Sequence, residues 1–324
     1  MSGTRVPGGI GGHGGGPPPP GGPPAGPVRI LVSSCLLGEK VRYDGGHKRD
    51  AFLVEALGPF VEYVPVCPEV GCGLPVPREA MRLAEDLSAP RLVTVATGID
   101  HTERMARFTA ARLRELAPLD LCGYVCKSGS PSCAMEAGLF TTAFVKRFPF
   151  VPAEEEGRLA DPVLREAFVE RIFTMKRFHE AVGRGKSRGA LVAFHTDHKL
   201  LLLAHGRPVY TEMGRLVARA SELPAATLFA RYRALLAKAL ALRPTRAKRC
   251  DVLLHMAGHF KRELPAAGKR LLLERIARYR RGDVSLAVPM AFIRRCVRRY
   301  EVAYLARQAV LDPHPAELGL LDDV

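Results

Sequence analysis

The sequence predicts an α/β fold: a Rossmann-like parallel sheet followed by an all-α helical domain. Three observations carry this. Strand and helix patterns alternate over residues 28–145, the signature of a parallel sheet. Residues 189–318 change to helical periodicity with few strand signals, for which a small helical domain is the economical reading. Finally, Cys35, Cys67 and Cys133 each follow an expected strand. The carboxyl ends of parallel strands share one edge, and ligands bind there. Cysteines far apart in sequence can therefore meet in one pocket. Three thiolates in a pocket point to a metal centre, and three where a cluster wants four point to an open coordination position.

Taken in order, residues 1–27 are almost all Gly and Pro, with Pro17 to Pro20 in a row. Such a tail cannot bury a core and is expected to be disordered. Residues 28–145 form the α/β domain. Strands are expected at 28–34, 60–66, 91–96 and 121–126. A short helix is expected near Asp50–Leu57, and a longer one from an Asp100 or Thr102 cap to about Leu116. Residues 146–188 read as a linker carrying one helix. Asp161-Pro162 starts that helix, with Asp capping and Pro in the first turn, and it runs to about Val182. Gly183-Arg184-Gly185-Lys186-Ser187 is similar to the end of a phosphate-binding loop. Glu180 stands where the first Gly of that motif belongs and no strand precedes it, so it reads as a basic interdomain turn. Residues 189–324 form the helical domain, with helices expected at 191–204, 210–220, 225–242, 251–260, 268–279 and 290–311.

At 324 residues and 47% apolar composition, the chain has room for two domains and a substantial core. No apolar run approaches the roughly 18 residues of a membrane helix. No apolar segment of secretory type opens the chain, so a cytoplasmic protein is expected. The eight cysteines are thinly spread, which suits metal binding or catalysis better than a disulfide framework. Charge divides the chain. Residues 1–180 hold 21 Lys+Arg against 21 Asp+Glu, while residues 181–324 hold 27 against 12. The whole net charge of +15 thus lies in the C-terminal part, a field that attracts polyanions such as nucleic acid.

Three blocks carry candidate chemistry. The first is Ser34-Cys35-Leu36-Leu37-Gly38 with Val41-Arg42-Tyr43-Asp44-Gly45. The second is Val66-Cys67-Pro68-Glu69 with Gly73-Leu74-Pro75 and Pro77-Arg78. The third is Lys127-Ser128-Gly129-Ser130-Pro131-Ser132-Cys133. Together and in this order they resemble the thiouracil desulfidase (TudS) family. Residues 189–318 resemble the YbgA-like domain, through Phe194-His195-Thr196-Asp197-His198-Lys199, Leu253-Leu254-His255, Gly258-His259-Phe260-Lys261 and Tyr304-Leu305-Ala306-Arg307-Gln308. Fusions of the two look like tRNA thiouridine desulfidases.

The resemblance implies a [4Fe–4S] cluster held by Cys35, Cys67 and Cys133, with one iron open to the sulfur of a thiocarbonyl. Thiolates are the usual ligands of such clusters, and a soft sulfur suits iron. It implies hydrolytic, non-redox cleavage of the C–S bond, turning 2-thiouridine (or 4-thiouridine) in tRNA into uridine. Glu69, two residues from Cys67, is the candidate acid/base, and Ser130 matches a family site serine. Arg42, Tyr43, Asp44, Arg78 and Lys127 match the motifs as substrate-binding candidates. His195, Lys199, Arg294 and Arg298 are candidate RNA contacts in the helical domain. A second arginine group at 275–281, with Tyr279 and Tyr300 interleaved, suits RNA stacking. No membrane and no obligate protein partner is expected.

Two positions depart from the family pattern: Ala134 stands where Gly is usual, and Cys126 where an apolar residue is common. Cys67 with Cys72, and Cys122 with Cys126, have spacings that a zinc site also uses. The apolar strand around Cys122 and Cys126 favours packing instead. The rival functions are a desulfidase for free thiouracil and a non-enzymatic iron–sulfur sensor that binds nucleic acid.

Overall fold

The computed structural model describes residues 24, 26–84, 90–183 and 187–322. The Gly/Pro-rich tail (all but Pro24, Gly26 and Pro27) and Arg184–Lys186 of the basic turn lie outside them.

Four strands form one parallel sheet in the order β2–β1–β5–β6: β1 Val28–Ser33, β2 Val61–Val66, β5 Gly123–Cys126 and β6 Ala153–Glu155. The central strand β1 pairs with β2 from Val28↔Val61 to Ser33↔Val66, and with β5 at Ile30↔Gly123 and Val32↔Val125. Side chains of a strand alternate between faces. Val28, Ile30 and Val32 accordingly pack on one face, with Phe168, Val169, Ile172 and Phe173. Leu31 packs on the other, with Leu113, Leu116, Tyr124, Phe140 and Phe144. The helices that cover the second face are α2 Thr102–Leu116 and α3 Leu139–Arg147.

The expected strand at 91–96 forms, as β4 Arg91–Thr94, but not in this sheet. It pairs antiparallel with β3 Met81–Ala84 in a separate hairpin. The sheet's fourth strand is instead β6, from the segment read as a linker. Its three residues, all half-buried, are Ala and two Glu, too short and too polar to carry a strand pattern.

The helix expected in that segment, α4 Pro162–Gly183, starts as expected. Asp161 Oδ1 accepts the N–H groups of Val163 at 2.8 Å and Leu164 at 3.2 Å. α4 belongs to two cores at once. Its N-terminal half packs on the sheet, while Met175 and Phe178 join the core of α5 Arg188–His205, α6 Arg207–Ala218 and α7 Ala225–Ala241. A second helical core gathers α8 Arg246–Gly258, α9 Ala266–Arg281 and α10 Ala287–Tyr300. The helix expected at 290–311 breaks at Glu301, where φ is +49°. A short turn, α11 Ala303–Ala306, follows, and the chain then bonds back to α5 through Ala309 N–H to Asp197 O at 2.8 Å.

Among the described residues, no helix is long and apolar enough to cross a membrane.

Candidate active site

Each of the three cysteines sits in a turn just past a strand of the sheet. After β1 the chain makes a single turn, Ser34–Leu37, which carries Cys35. Gly38 ends the turn at φ +98°, a left-handed conformation suited to glycine. After β2 comes Cys67. Pro68 then opens the short helix α1 Pro68–Gly71, with Glu69 in its first turn. After β5 the loop turns at Gly129, and Ser130 organises the rest. Its Oγ accepts the N–H groups of Ser132 and Cys133, both at 3.2 Å.

These three turns enclose one cavity of about 360 Å³, at the small end of the range for ligand pockets. Cys35, Cys67 and Cys133 all line it, as do Glu69, Ser130, Arg42, Tyr43, Arg78 and Lys127. Most of the expected site is therefore brought together. Asp44 stands just outside, paired with Arg42 at 3.1 Å.

The electrostatics follow from burial. Burial pushes the Cys35 thiol up to about 11, and the neighbouring Cys67 adds to this, while Lys127 and Arg42 oppose it. Burial also raises Cys67. Cys133 is raised furthest, first by burial, with Glu69, Cys67 and Cys35 adding to it and the Ser33 hydroxyl opposing. Burial outweighs the nearby cations and favours the thiol form of all three.

Glu69 is tightly held. Arg78 donates to its Oε2 from Nε at 2.9 Å and from Nη2 at 2.5 Å. Its Oε1 accepts the hydroxyls of Ser132 at 3.0 Å and Ser130 at 3.4 Å. Lys127 pairs with Glu156 at 2.8 Å. Burial alone would raise the Glu156 carboxyl, but the bonds from Lys127 and Ser128 outweigh it and hold it low. Arg42 Nε is buried with no hydrogen-bond partner.

Sequence reasoning missed Ser132, Glu156 and the cavity-lining Lys48. Ser132 had a signal, lying within the third block beside Cys133. Glu156 had none, because its role depends on β6 joining the sheet.

The residues fit an anionic cluster. The donor set is three thiols on three separate turns, Arg42, Lys48, Arg78 and Lys127 line the same cavity, and one buried guanidinium N–H lacks an acceptor. Among the described residues, no three His, Cys, Asp or Glu side chains converge as ligands of a single ion; a multi-iron cluster spreads its ligands over several metal atoms. Cys72, Cys122 and Cys126 do not line the cavity. Their thiols face the carbonyls of Glu69, Asp120 and Glu154.

Residues 30–156 match the family model described as 2-thiouracil desulfurase. YbbK of Bacillus subtilis (strain 168), an uncharacterized protein, is 33% identical over 109 residues, which cover 32% of this chain and 72% of YbbK. The chain belongs to the 2-thiouracil desulfurase family. Residues 199–315 match a second family model, a protein of unknown function (DUF1722). The uncharacterized protein YbgA of Escherichia coli (strain K12) is 28% identical over 151 residues, 46% of this chain and 89% of YbgA. The solved structure of a [4Fe-4S]-dependent thiouracil desulfidase, TudS, is 31% identical and covers 44% of this chain and 99% of its own, with a TM-score of 0.36. This desulfurase-family chain thus carries a DUF1722 region behind the desulfurase region.

In the helical part of the chain the structure corrects several expected RNA contacts. His195 is 2% exposed, and its Nδ1 faces the Tyr232 hydroxyl at 3.1 Å. Arg294 is half-buried and holds Leu311 O from Nε at 2.8 Å. Tyr279 is 1% exposed, so it cannot stack on a base. Helical periodicity put each of these on a helix but not on its outer face. Arg298 is exposed and Lys199 half-buried.

Proposed function

We propose that the protein is a [4Fe–4S]-dependent desulfidase that converts 2-thiouridine (or 4-thiouridine) in tRNA to uridine and releases sulfide. One observation carries the reading: three strand-end cysteines and a carboxylate anchored by two serines and an arginine share a single cavity. Cys35, Cys67 and Cys133 would hold the cluster. When bound, it would supply a thiophilic iron able to polarise a C=S bond.

The chain's own groups do the rest. Arg78 orients Glu69 from one side and leaves Oε1 to the serine hydroxyls. Oε1 can take a proton from a water that adds to the thiocarbonyl carbon, and can return it to the departing sulfur. The balance is C=S plus H2O to C=O plus H2S, with no electrons exchanged. Lys48 and Arg42 line the cavity together with exposed Tyr43 and can meet the phosphates that flank a base. A stacked base has to flip outward to enter such a pocket. The net charge of +15 in residues 181–324 supports a polyanionic substrate.

Cluster-loaded protein is incubated without oxygen with thiolated tRNA and, separately, with free 2-thiouracil. The proposal expects loss of thionucleoside from the tRNA, read by mass spectrometry. Turnover of the free base alone would assign the protein to thiobase chemistry. Cluster and RNA binding without turnover of either would make it a sensor.

A further inference from the structure

The YbgA-like motifs of the helical part come together away from the cysteine cavity. Gln308 Nε2 donates to Thr196 O at 2.8 Å, and Gln308 Oε1 accepts Leu200 N–H at 3.2 Å. These bonds, with Ala309 N–H on Asp197 O, clamp the chain after α11 onto α5. Between the two lies an open groove of about 430 Å³, lined by Gly189, Ala193, Asp197, Ala303, Tyr304 and Arg307 among others.

Its side chains are set in place beyond what clamping requires. Tyr304 is half-exposed, and His259 stacks against it at 5.0 Å between centroids and 26° between planes. His255, exposed, meets His259 edge-on at 5.6 Å. Arg307 keeps half of its side-chain surface exposed, and Asp197 fixes its plane through Nε at 3.0 Å and Nη2 at 3.3 Å. A guanidinium has five N–H donors, so three remain for a ligand.

We infer that this groove binds one base and its phosphate from a single-stranded segment of RNA, the base on Tyr304 and the phosphate on Arg307. A braced aromatic face beside a pre-oriented guanidinium is how sequence-tolerant single-strand sites are built. The choice of RNA rests on the reading above and on the positive charge of this half of the chain. The groove holds the strand while a separate base occupies the cysteine cavity.

The test uses the full chain and two probes: a fluorescently labelled single-stranded RNA for anisotropy, and thiolated tRNA for the parent's turnover. Tyr304→Ala is expected to weaken RNA binding by about 5- to 150-fold, the span of one lost base stack. Tyr304→Phe should bind like the parent, and Arg307→Ala should weaken binding and flatten its salt dependence. Thermal melting should stay at the parent's temperature in all three, which shows that they fold. Parent-like RNA binding by Tyr304→Ala would overturn the inference and leave the desulfidase reading standing. The reverse result, binding lost in Tyr304→Ala at unchanged melting while the parent turns over no thiolated tRNA, would refute the desulfidase and keep the groove. A parent dimer that Arg307→Ala dissociates, with RNA binding intact, would assign the groove to a second copy and overturn the inference.

Discussion

In the proposed chemistry Glu69 carries the proton, and its surroundings suit that role. A carboxylate with one oxygen locked to a guanidinium cannot rotate, so its other oxygen is presented in one direction. Ser130 and Ser132 mark that direction. Glu69→Gln keeps the shape and removes the base. It is expected to lower desulfidation by about 10²–10⁴-fold while leaving the absorption of the loaded cluster unchanged. Turnover within a few-fold of the parent's would remove Glu69 from the proton path. Cys35→Ala, Cys67→Ala or Cys133→Ala is expected to lose the cluster, read as iron and acid-labile sulfide per chain. A full complement in any one of them would refute that ligand. The equivalent change at Cys72, whose thiol faces Glu69 O at 3.2 Å, should retain it.

At the scale of elements, the loop after β5 decides where Cys133 sits. Ala134, where the family pattern prefers Gly, is accommodated: its N–H reaches Ser130 O at 3.0 Å. Gly138 is the position with no room. Its backbone, φ −62° and ψ 125°, suits any residue, but a Cβ there would lie 2.5 Å from Ala134 N and 2.7 Å from Cys133 C. Backbone atoms cannot step aside as side chains do, so the cysteine turn must shift. Gly138→Ala is expected to cost about 1–3 kcal/mol of stability and to lower iron content below the parent's. Unchanged iron and unchanged melting would show that the turn is softer than its contacts suggest. How far the elements were legible follows the same logic. β1, β2 and β5 were readable because their apolar residues are local in sequence, and the cysteines because they follow those strands directly. The β3–β4 hairpin, β6 and the break at Glu301 were not readable. Pairing partners, and a left-handed glutamate, are set by distant contacts such as Ala309 on Asp197. The pairing of Arg78 with Glu69 and of Lys127 with Glu156 was hidden for the same reason.

For the molecule as a whole, α4 ties the two parts together, and its surroundings make stability depend on acid. His198, 3% exposed, packs on Phe194 at 3.9 Å and faces Phe194 O through Nδ1 at 2.8 Å. A carbonyl only accepts, so Nδ1 carries the proton, and Nε2 is buried without a partner. Burial, reinforced by the positive charge of Arg177, drives the His198 pKa down to about 3. Burial, with Lys199, drives His195 down to about 4. A histidine whose folded pKa is depressed binds its proton more readily in the unfolded chain. Its contribution is present above about pH 6.5 and is lost as pH falls towards the folded value, by about 1.4 kcal/mol per pH unit. Glu166 tilts the balance the other way. Burial raises its carboxyl, so its contribution is present below about pH 4.5 and fades as pH rises through the folded value. The parent's curve is therefore a sum, and a difference isolates the histidine. His198→Leu removes the titrating ring and keeps the site apolar. Between pH 6.5 and 4.5 its unfolding free energy, from urea titrations, should fall less steeply than the parent's by about 1.4 kcal/mol per pH unit. Parallel curves would mean that His198 is not held neutral by the packing of the helical cores, and that the acid sensitivity of the molecule lies elsewhere.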